Sequence, residues 1–270
     1  MNVFEALILG ILQGFTEFLP ISSSGHLVLA ETYLNFQPSR FLFFDILLHA
    51  ASLTAVCVFY RKRLVELIHV LFTWFSPEIS SPDRDYDKQL IGAILISTAV
   101  TGAIGLGLKD QFEGVRDHLK IVGFAFLLTG GLLTATRWAA STAQGNPSHF
   151  PLPMWWFAVI LGAAQGLAIL PGVSRSGATI SIALLLGMAR VLAVEYSFLM
   201  CIPAIIGACL LEFRDAEITV GWDVALAGFL GSLLASVIFL WLLVWIVRKG
   251  HFHQFAYYVI PLGLYLIVFT

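Results

Sequence analysis

The sequence predicts an all-α polytopic membrane protein, with about six transmembrane helices and two re-entrant helical hairpins arranged as an inverted-topology repeat. Three observations carry that prediction. The 270-residue chain is 59% hydrophobic and 12% charged, about half the charge of a soluble domain, so its solvent is a bilayer. Its long apolar runs have the roughly 20 residues that a spanning helix needs. Residues 8–25 also align without a gap on residues 160–177, an offset of 152 residues, and internal similarity at a fixed offset marks duplication.

Residues 3–34 are apolar but interrupted at Pro20. The piece after the break, about 23–34, reaches only about 18 Å as a helix, too short to span. Residues 3–34 therefore read as a re-entrant hairpin. Spanning helices follow at about 42–60, 90–108 and 119–136, bounded by polar flanks such as "YRKRL" and "KDQFEGVRDHLK". A second hairpin at 153–190 is broken at Pro171-Gly172, and its second piece runs from about 175 to 190. Spans at about 194–213, 223–247 and 254–270 complete the chain, with "EFRDAEI" and "VRKGHFHQ" between them. Residues 1–270 thus form a single membrane domain, with repeat one at about 1–138 and repeat two at about 153–270. The N-terminus has neither a basic n-region nor a small-residue cleavage site and reads as part of the mature protein.

In the aligned stretches "ILGILQGFTEFLPISSSG" and "ILGAAQGLAILPGVSRSG", the shared residues include Gln13/Gln165, Gly14/Gly166, Ser22/Ser174, Ser24/Ser176 and Gly25/Gly177. Chance explains matched Leu and Ile, but not Q-G and S-x-S-G in one register. Three spanning helices after each hairpin is an odd number, so repeat two begins on the opposite side of the membrane, and the broken helices meet near the midplane. The positive-inside rule orients the chain. With the 61–89 loop inside, the inner face carries Arg61, Lys62, Arg63, Arg84, Lys88, Arg137, Arg190, Arg248 and Lys249, and the outer face carries Arg40, Lys109, Arg116, Lys120 and Arg214. Both termini then face outward.

Composition also excludes functions. A net charge of −2 leaves no basic footprint for nucleic acid. Cys57, Cys201 and Cys209 lie in apolar runs without a C-x-x-C or Cys/His cluster, which argues against a disulfide framework or a zinc site. No organic cofactor is expected.

The chemistry concentrates at the two breaks. A proline followed by Ser and Gly ahead of an apolar run marks a helix start. Ser22 and Ser174 suit the N-cap, and Gly25 and Gly177 admit another group close to the backbone. Free N–H groups and the positive dipole end of such a helix bind anions, phosphate above all. Small residues also simply let membrane helices pack closely; that both repeats break at the same place favours binding. The repeats differ where the chemistry lies: Glu17 aligns with Ile169, Ser23 with Arg175 and His26 with Ala178. Repeat one supplies an acid, a serine and a histidine, and repeat two a guanidinium.

A charge at the bilayer centre costs about 2.5–3.5 kcal/mol, so Glu17 and Arg175 need a partner or a function. Arg175 can be a counter-ion to Glu17, can snorkel to an interface, or can clamp phosphate with its planar fork. Gln13 and Glu17 share a helix face at i and i+4. Glu17 can act as a general base, fix the tautomer of His26, or bind a divalent cation (Mg or Ca) together with phosphate. Ser22, Ser24, Gly25, Ser174, Ser176 and Gly177 join Gln13 as candidate substrate-binding residues. Asp45, His49 and Glu195 are weaker signals; Asp45 and Glu195 open spanning helices as caps do.

These stretches resemble the bacterial undecaprenyl-diphosphate phosphatase family, the integral membrane type linked to bacitracin resistance. "QGFTEFLPISSSGH" is similar to its [E/Q]-x-x-x-E and P-x-S-S-x-G-H motif, and "LPGVSRSGATIS" to its PG-x-SRSGAT motif. "FDILLHAASLTAV" and "EYSFLMCIPAIIGA" resemble further family segments, so the likeness covers nearly the whole chain. It implies removal of the terminal phosphate of undecaprenyl diphosphate, which regenerates the monophosphate carrier for cell-wall lipid synthesis. It implies Glu17, Ser23, His26 and Arg175 as catalytic residues, with Ser22, Ser24 and Ser174 beside them. Gln13 stands where the family often has Glu, and Ser24 where threonine is common. The unrelated type-2 phosphatidic-acid phosphatases share an S-G-H and an S-R, but their second histidine would fall at Ser181, so that likeness fails.

Ser23, activated by His26 or Glu17, is the candidate nucleophile, with an activated water or His26 itself as alternatives. Arg175 and the two helix N-termini are expected to hold the diphosphate. A lipid-phosphate transporter using the same pocket is the competing function, because broken inverted repeats are also a transporter architecture. The expected partners are the prenyl diphosphate, membrane lipid and a second copy of the chain as a homodimer. The resemblance puts the protein in the bacterial inner (plasma) membrane, with its site facing the outer, periplasmic side.

Overall fold

A computed structural model describes residues 1–34, 42–75, 82–115, 118–139, 150, 152–214, 216 and 220–270, and all regular structure among them is helical. Helix α1 (Val3–Phe18) opens with a capping box, in which the Asn2 side chain accepts from the Glu5 N–H and the Glu5 carboxylate accepts from the Asn2 N–H, each at 2.9 Å. This satisfies two N–H groups that lack intrahelical partners. The chain breaks at Leu19–Ser22 and resumes as α2 (Ser23–Leu34). Next come α3 (Leu42–Phe59), α4 (Arg61–Phe72), α5 (Pro82–Gly107), α6 (Lys109–Val115) and α7 (Leu119–Ala135). The chain continues through α8 (Met154–Leu167), a second break, α9 (Arg175–Leu185), α10 (Arg190–Glu212), α11 (Trp222–Lys249) and α12 (Ala256–Phe269).

Six of the described helices, α3, α5, α7, α10, α11 and α12, are long and apolar enough to cross a membrane. They coincide with the six expected spans, and α5 begins about two turns earlier than expected. Two helices fell outside the expectation. The "YRKRL" flank is the turn at Tyr60 and the start of α4, and α6 occupies part of the connector after α5.

α4 is anchored through Arg63, whose guanidinium donates to Asp87 at 2.5 Å, to Glu195 at 2.8 Å and to Glu66 at 3.1 Å. Burial works against the Arg63 charge, but Asp87 and Glu195 outweigh it and push its pKa up. Glu195 therefore ties the two repeats together. It sits in the second turn of α10 and is not the cap expected from its sequence position.

Part of the packing scheme recurs when the two stretches of chain are exchanged. α1 packs on α11 and α8 on α5; α3 also meets α11 and α10 meets α5, while α7 pairs with α12 and α3 with α10. The α1–α11 seam is built from small residues. A Cβ on Gly14 would lie 2.5 Å from the Ser232 carbonyl oxygen, and one on Gly10 would lie 2.2 Å from that of Gly228. On α11, Gly231, Ser232, Ala235 and Ser236 are buried, whereas Leu234, Ile238, Trp241 and Trp245 are exposed. Lipid solvates large apolar side chains well, so close backbone approach over small residues, rather than burial of bulk, favours association here. Both breaks are thereby held inside the bundle, against Phe18, Phe126 and Phe198 of the core.

Candidate active site

The two breaks interlock. Ser22 Oγ accepts from the Gly25 N–H at 3.2 Å, capping α2, and from the Gly172 N–H of the other break at 3.1 Å. Ser174 caps α9 in the same way, accepting from the Gly177 N–H at 3.1 Å. Each cap lies 3.3 Å from the hydroxyl two residues on, Ser24 and Ser176 respectively. The duplicated S-x-S-G thus makes the same pair of side-chain contacts twice, on different backbones: Ser174 is extended at φ −78°. Ser22 has φ +67°, a left-handed conformation costing a non-glycine residue about 1–3 kcal/mol unless its surroundings hold it. Gly172, at φ +97°, lies so close to α7 that a Cβ would sit 2.5 Å from the Val122 carbonyl oxygen. From α7, the Thr129 hydroxyl lies 3.0 Å from the Gly172 carbonyl oxygen and accepts from the Ser174 N–H at 3.0 Å.

The charges meet at this junction. Glu17, in the last turn of α1, accepts through Oε1 from Arg175 Nη2 at 2.6 Å. Its Oε2 accepts from Ser23 Oγ at 2.9 Å and from Gln13 Nε2 at 3.3 Å. Arg175, the first residue of α9, leaves its buried Nη1 without a hydrogen-bond partner. Its guanidinium lies 5.8 Å from the centre of the Phe198 ring, with the Cys201 thiol beside it. A buried donor without an acceptor costs about 1–3 kcal/mol, more when charged, so this nitrogen is poised for an anionic oxygen.

Gln13 extends the network to His49. One N–H of its amide goes to Glu17, and Nε2 also lies 3.3 Å from His49 Nε2. The Asp45 carbonyl oxygen, 3.0 Å from His49 Nδ1, can only accept, so Nδ1 carries a proton. His49 Nε2 is 4.0 Å from Glu17 Oε2.

His26 is held differently from the sequence expectation. Glu17 was a candidate to fix its tautomer, but the Ser22 carbonyl oxygen, 2.8 Å from Nδ1, does so instead. Nε2 lies 2.7 Å from the Tyr258 hydroxyl on α12, and the two rings stack with centroids 5.7 Å apart.

Gln13, Ser23, His26 and Asp45 line a cavity of about 30 Å³ whose walls include Leu12 and Phe44. The structure thus gathers Gln13, Glu17, Ser22, Ser23, Ser24, Gly25, His26, Ser174, Arg175, Ser176 and Gly177 around the paired breaks. Asp45 lies in the first turn of α3 beside His49. Thr129 and Tyr258 carried no sequence signal, since each acts on a residue remote in the chain.

The chain matches the family model described as bacitracin resistance protein BacA over residues 6–265. It is 39% identical to the undecaprenyl-diphosphatase of Treponema denticola, covering 100% of this chain and 98% of the relative. It is 40% identical to the undecaprenyl-diphosphatase of Korarchaeum cryptofilum over 98% of each chain, and 40% identical to that of Desulfosudis oleivorans over 97% of each.

Proposed function

This chain belongs to the bacitracin resistance protein BacA family, and we infer from that membership that it is an undecaprenyl-diphosphatase. It is a multi-pass membrane enzyme that hydrolyses undecaprenyl diphosphate to undecaprenyl phosphate and inorganic phosphate, which recycles the lipid carrier and confers bacitracin resistance.

For the chemistry we propose serine attack. The observation that carries this reading is the chain Ser23 Oγ–Glu17–Arg175, at 2.9 and 2.6 Å, with Arg175 Nη1 unengaged. Glu17 Oε2 takes the Ser23 proton as Oγ bonds to the terminal phosphorus. The bond from that phosphorus to the bridging oxygen breaks, and undecaprenyl phosphate leaves. Water then attacks the phosphoserine. Its proton passes to His26 Nε2, the Oγ–P bond breaks as Oγ recovers its proton from Glu17, inorganic phosphate leaves, and His26 gives its proton to that phosphate or to solvent water. Arg175 Nη1 and the N-termini of α2 and α9 stabilise the charge on the transferred phosphoryl group.

Among the described residues no three His, Cys, Asp or Glu side chains converge on a metal position. Glu17 Oε1 accepts one bond from Arg175 and keeps a second lone pair. This fits a divalent cation carried largely by phosphate and water, as Mg²⁺ commonly is, with Glu17 as the protein ligand. Such an ion would offset phosphate charge.

The recurring pairs α1–α11 with α8–α5 and α3–α11 with α10–α5, beside the gapless alignment of residues 8–25 on 160–177, support an inverted-topology duplication with re-entrant α1/α2 and α8/α9. The Lys/Arg asymmetry supports a site facing outward from the bacterial inner membrane. The test is phosphate release from undecaprenyl diphosphate by purified protein in detergent, with and without chelator. A transporter working through the same pocket releases none. Loss under chelator with recovery on added Mg²⁺ or Ca²⁺ supports the cation, and unchanged turnover removes it.

A further inference from the structure

We propose that Tyr258, in the last helix of the chain, is a positioning residue for the phosphatase reaction that holds His26 through its phenol. The proposal rests on the reading of His26 as a residue of the reaction site. The Ser22 carbonyl oxygen at 2.8 Å can only accept, so His26 Nδ1 carries the proton and Nε2 presents a lone pair. The Tyr258 hydroxyl, 2.7 Å away, donates to that lone pair.

Ring contacts alone do not achieve this. Phe126 meets His26 edge-on at 5.6 Å and 90°, and Tyr258 stacks on it at 15° between planes. These contacts fix the plane of the imidazole but leave a half-turn within that plane open. A half-turn puts carbon where each nitrogen was and loses both hydrogen bonds, so the pair of bonds decides which atom faces the cleft. Nε2 is therefore kept as an aimed acceptor, released when water or a phosphate oxygen takes the place of the phenol.

Tyr258 is half exposed, so its ring does not fill the core, and its hydroxyl can be removed without leaving a cavity there.

The test uses the full chain in detergent. With nitrogen-15-labelled histidine, the His26 signals are assigned by their loss in His26→Gln. The expected pattern is a protonated Nδ1 and a hydrogen-bonded, unprotonated Nε2. Tyr258→Phe, which keeps the stack, should shift the Nε2 signal and leave Nδ1 in place. Its kcat should fall about tenfold, the rate equivalent of one hydrogen bond, with KM unchanged, and Tyr258→Leu should fall further. Parental kcat in Tyr258→Phe overturns the proposal, as does a wild-type Nε2 that is protonated or free. If His26→Gln keeps parental turnover, the reading of His26 fails, and the role of Tyr258 fails with it.

Discussion

Replacing Arg175 by lysine separates a phosphate clamp from a counter-ion. In the resting site Nη2 is committed to Glu17 Oε1 at 2.6 Å, and Nη1 is buried without a partner. The fork thus serves two acceptors from two nitrogens. Lysine offers one nitrogen on a flexible stem, so it can neutralise Glu17 or reach phosphate, but it cannot hold both in one plane. Losing one contact to the developing charge typically costs about 2.7–4 kcal/mol, or about 10²–10³ in rate. Arg175→Lys is therefore expected to turn over about as poorly as Arg175→Ala at saturating substrate. The two variants should differ in stability. Alanine leaves the nearly buried Glu17 carboxylate without its cation, and breaking a buried pair costs about 3–5 kcal/mol, whereas lysine retains most of the pairing. Phosphate release measures turnover, and gel filtration in detergent together with a thermal melt measures folding. An Arg175→Lys enzyme within a few-fold of the parent would refute the clamp and leave Arg175 a counter-ion.

Ser23→Ala should fold and still bind a prenyl diphosphate while losing nearly all phosphate release; near-parental release would exclude serine attack and favour water as the nucleophile. Gly14→Val should destabilise the protein by about 1–3 kcal/mol through overpacking, since a Cβ there would lie 2.5 Å from the Ser232 carbonyl oxygen; an unchanged melting temperature would contradict the α1–α11 seam. In a variant with Cys57, Cys201 and Cys209 replaced, Glu5→Cys should react with a membrane-impermeant thiol reagent outside intact cells, and Lys62→Cys only after permeabilisation. Both parent side chains are exposed, and the reverse labelling pattern would invert the orientation.

The spanning helices were legible because about 20 apolar residues have few alternatives in a bilayer. The breaks were legible because proline and serine are costly in mid-membrane unless they end one helix and start another. Amphipathic α4 was missed because its basic start reads as a loop, and its anchor Glu195 lies far from Arg63 in the chain. The same limit hid Tyr258, which reaches His26 across 232 positions. Gln13 illustrates a subtler gap. Its place one turn before Glu17 was visible, but its second contact, to His49, depends on how α3 lies against α1.

Symmetry and its violation divide the work of this fold. The aligned Ser22 and Ser174 cap their helices with matching hydrogen bonds to Gly25 and Gly177, so the shared residues serve the scaffold. Reaction chemistry enters where the copies differ. Ile169 stands at the position of Glu17 and is 44% exposed; a carboxylate there would be partly solvated by lipid rather than held against a guanidinium. Ser23 and Arg175 occupy aligned positions as the first residues of α2 and α9, and both point their polar atoms at the Glu17 carboxylate. Gln165 keeps the glutamine of the duplicated motif, but its amide donates to Thr101, and no carboxylate stands beside it at position 169. A second acid at position 169 would therefore not create a second site, because the repeat that would hold it lacks Ser23 and His26 and has already given its guanidinium to Glu17.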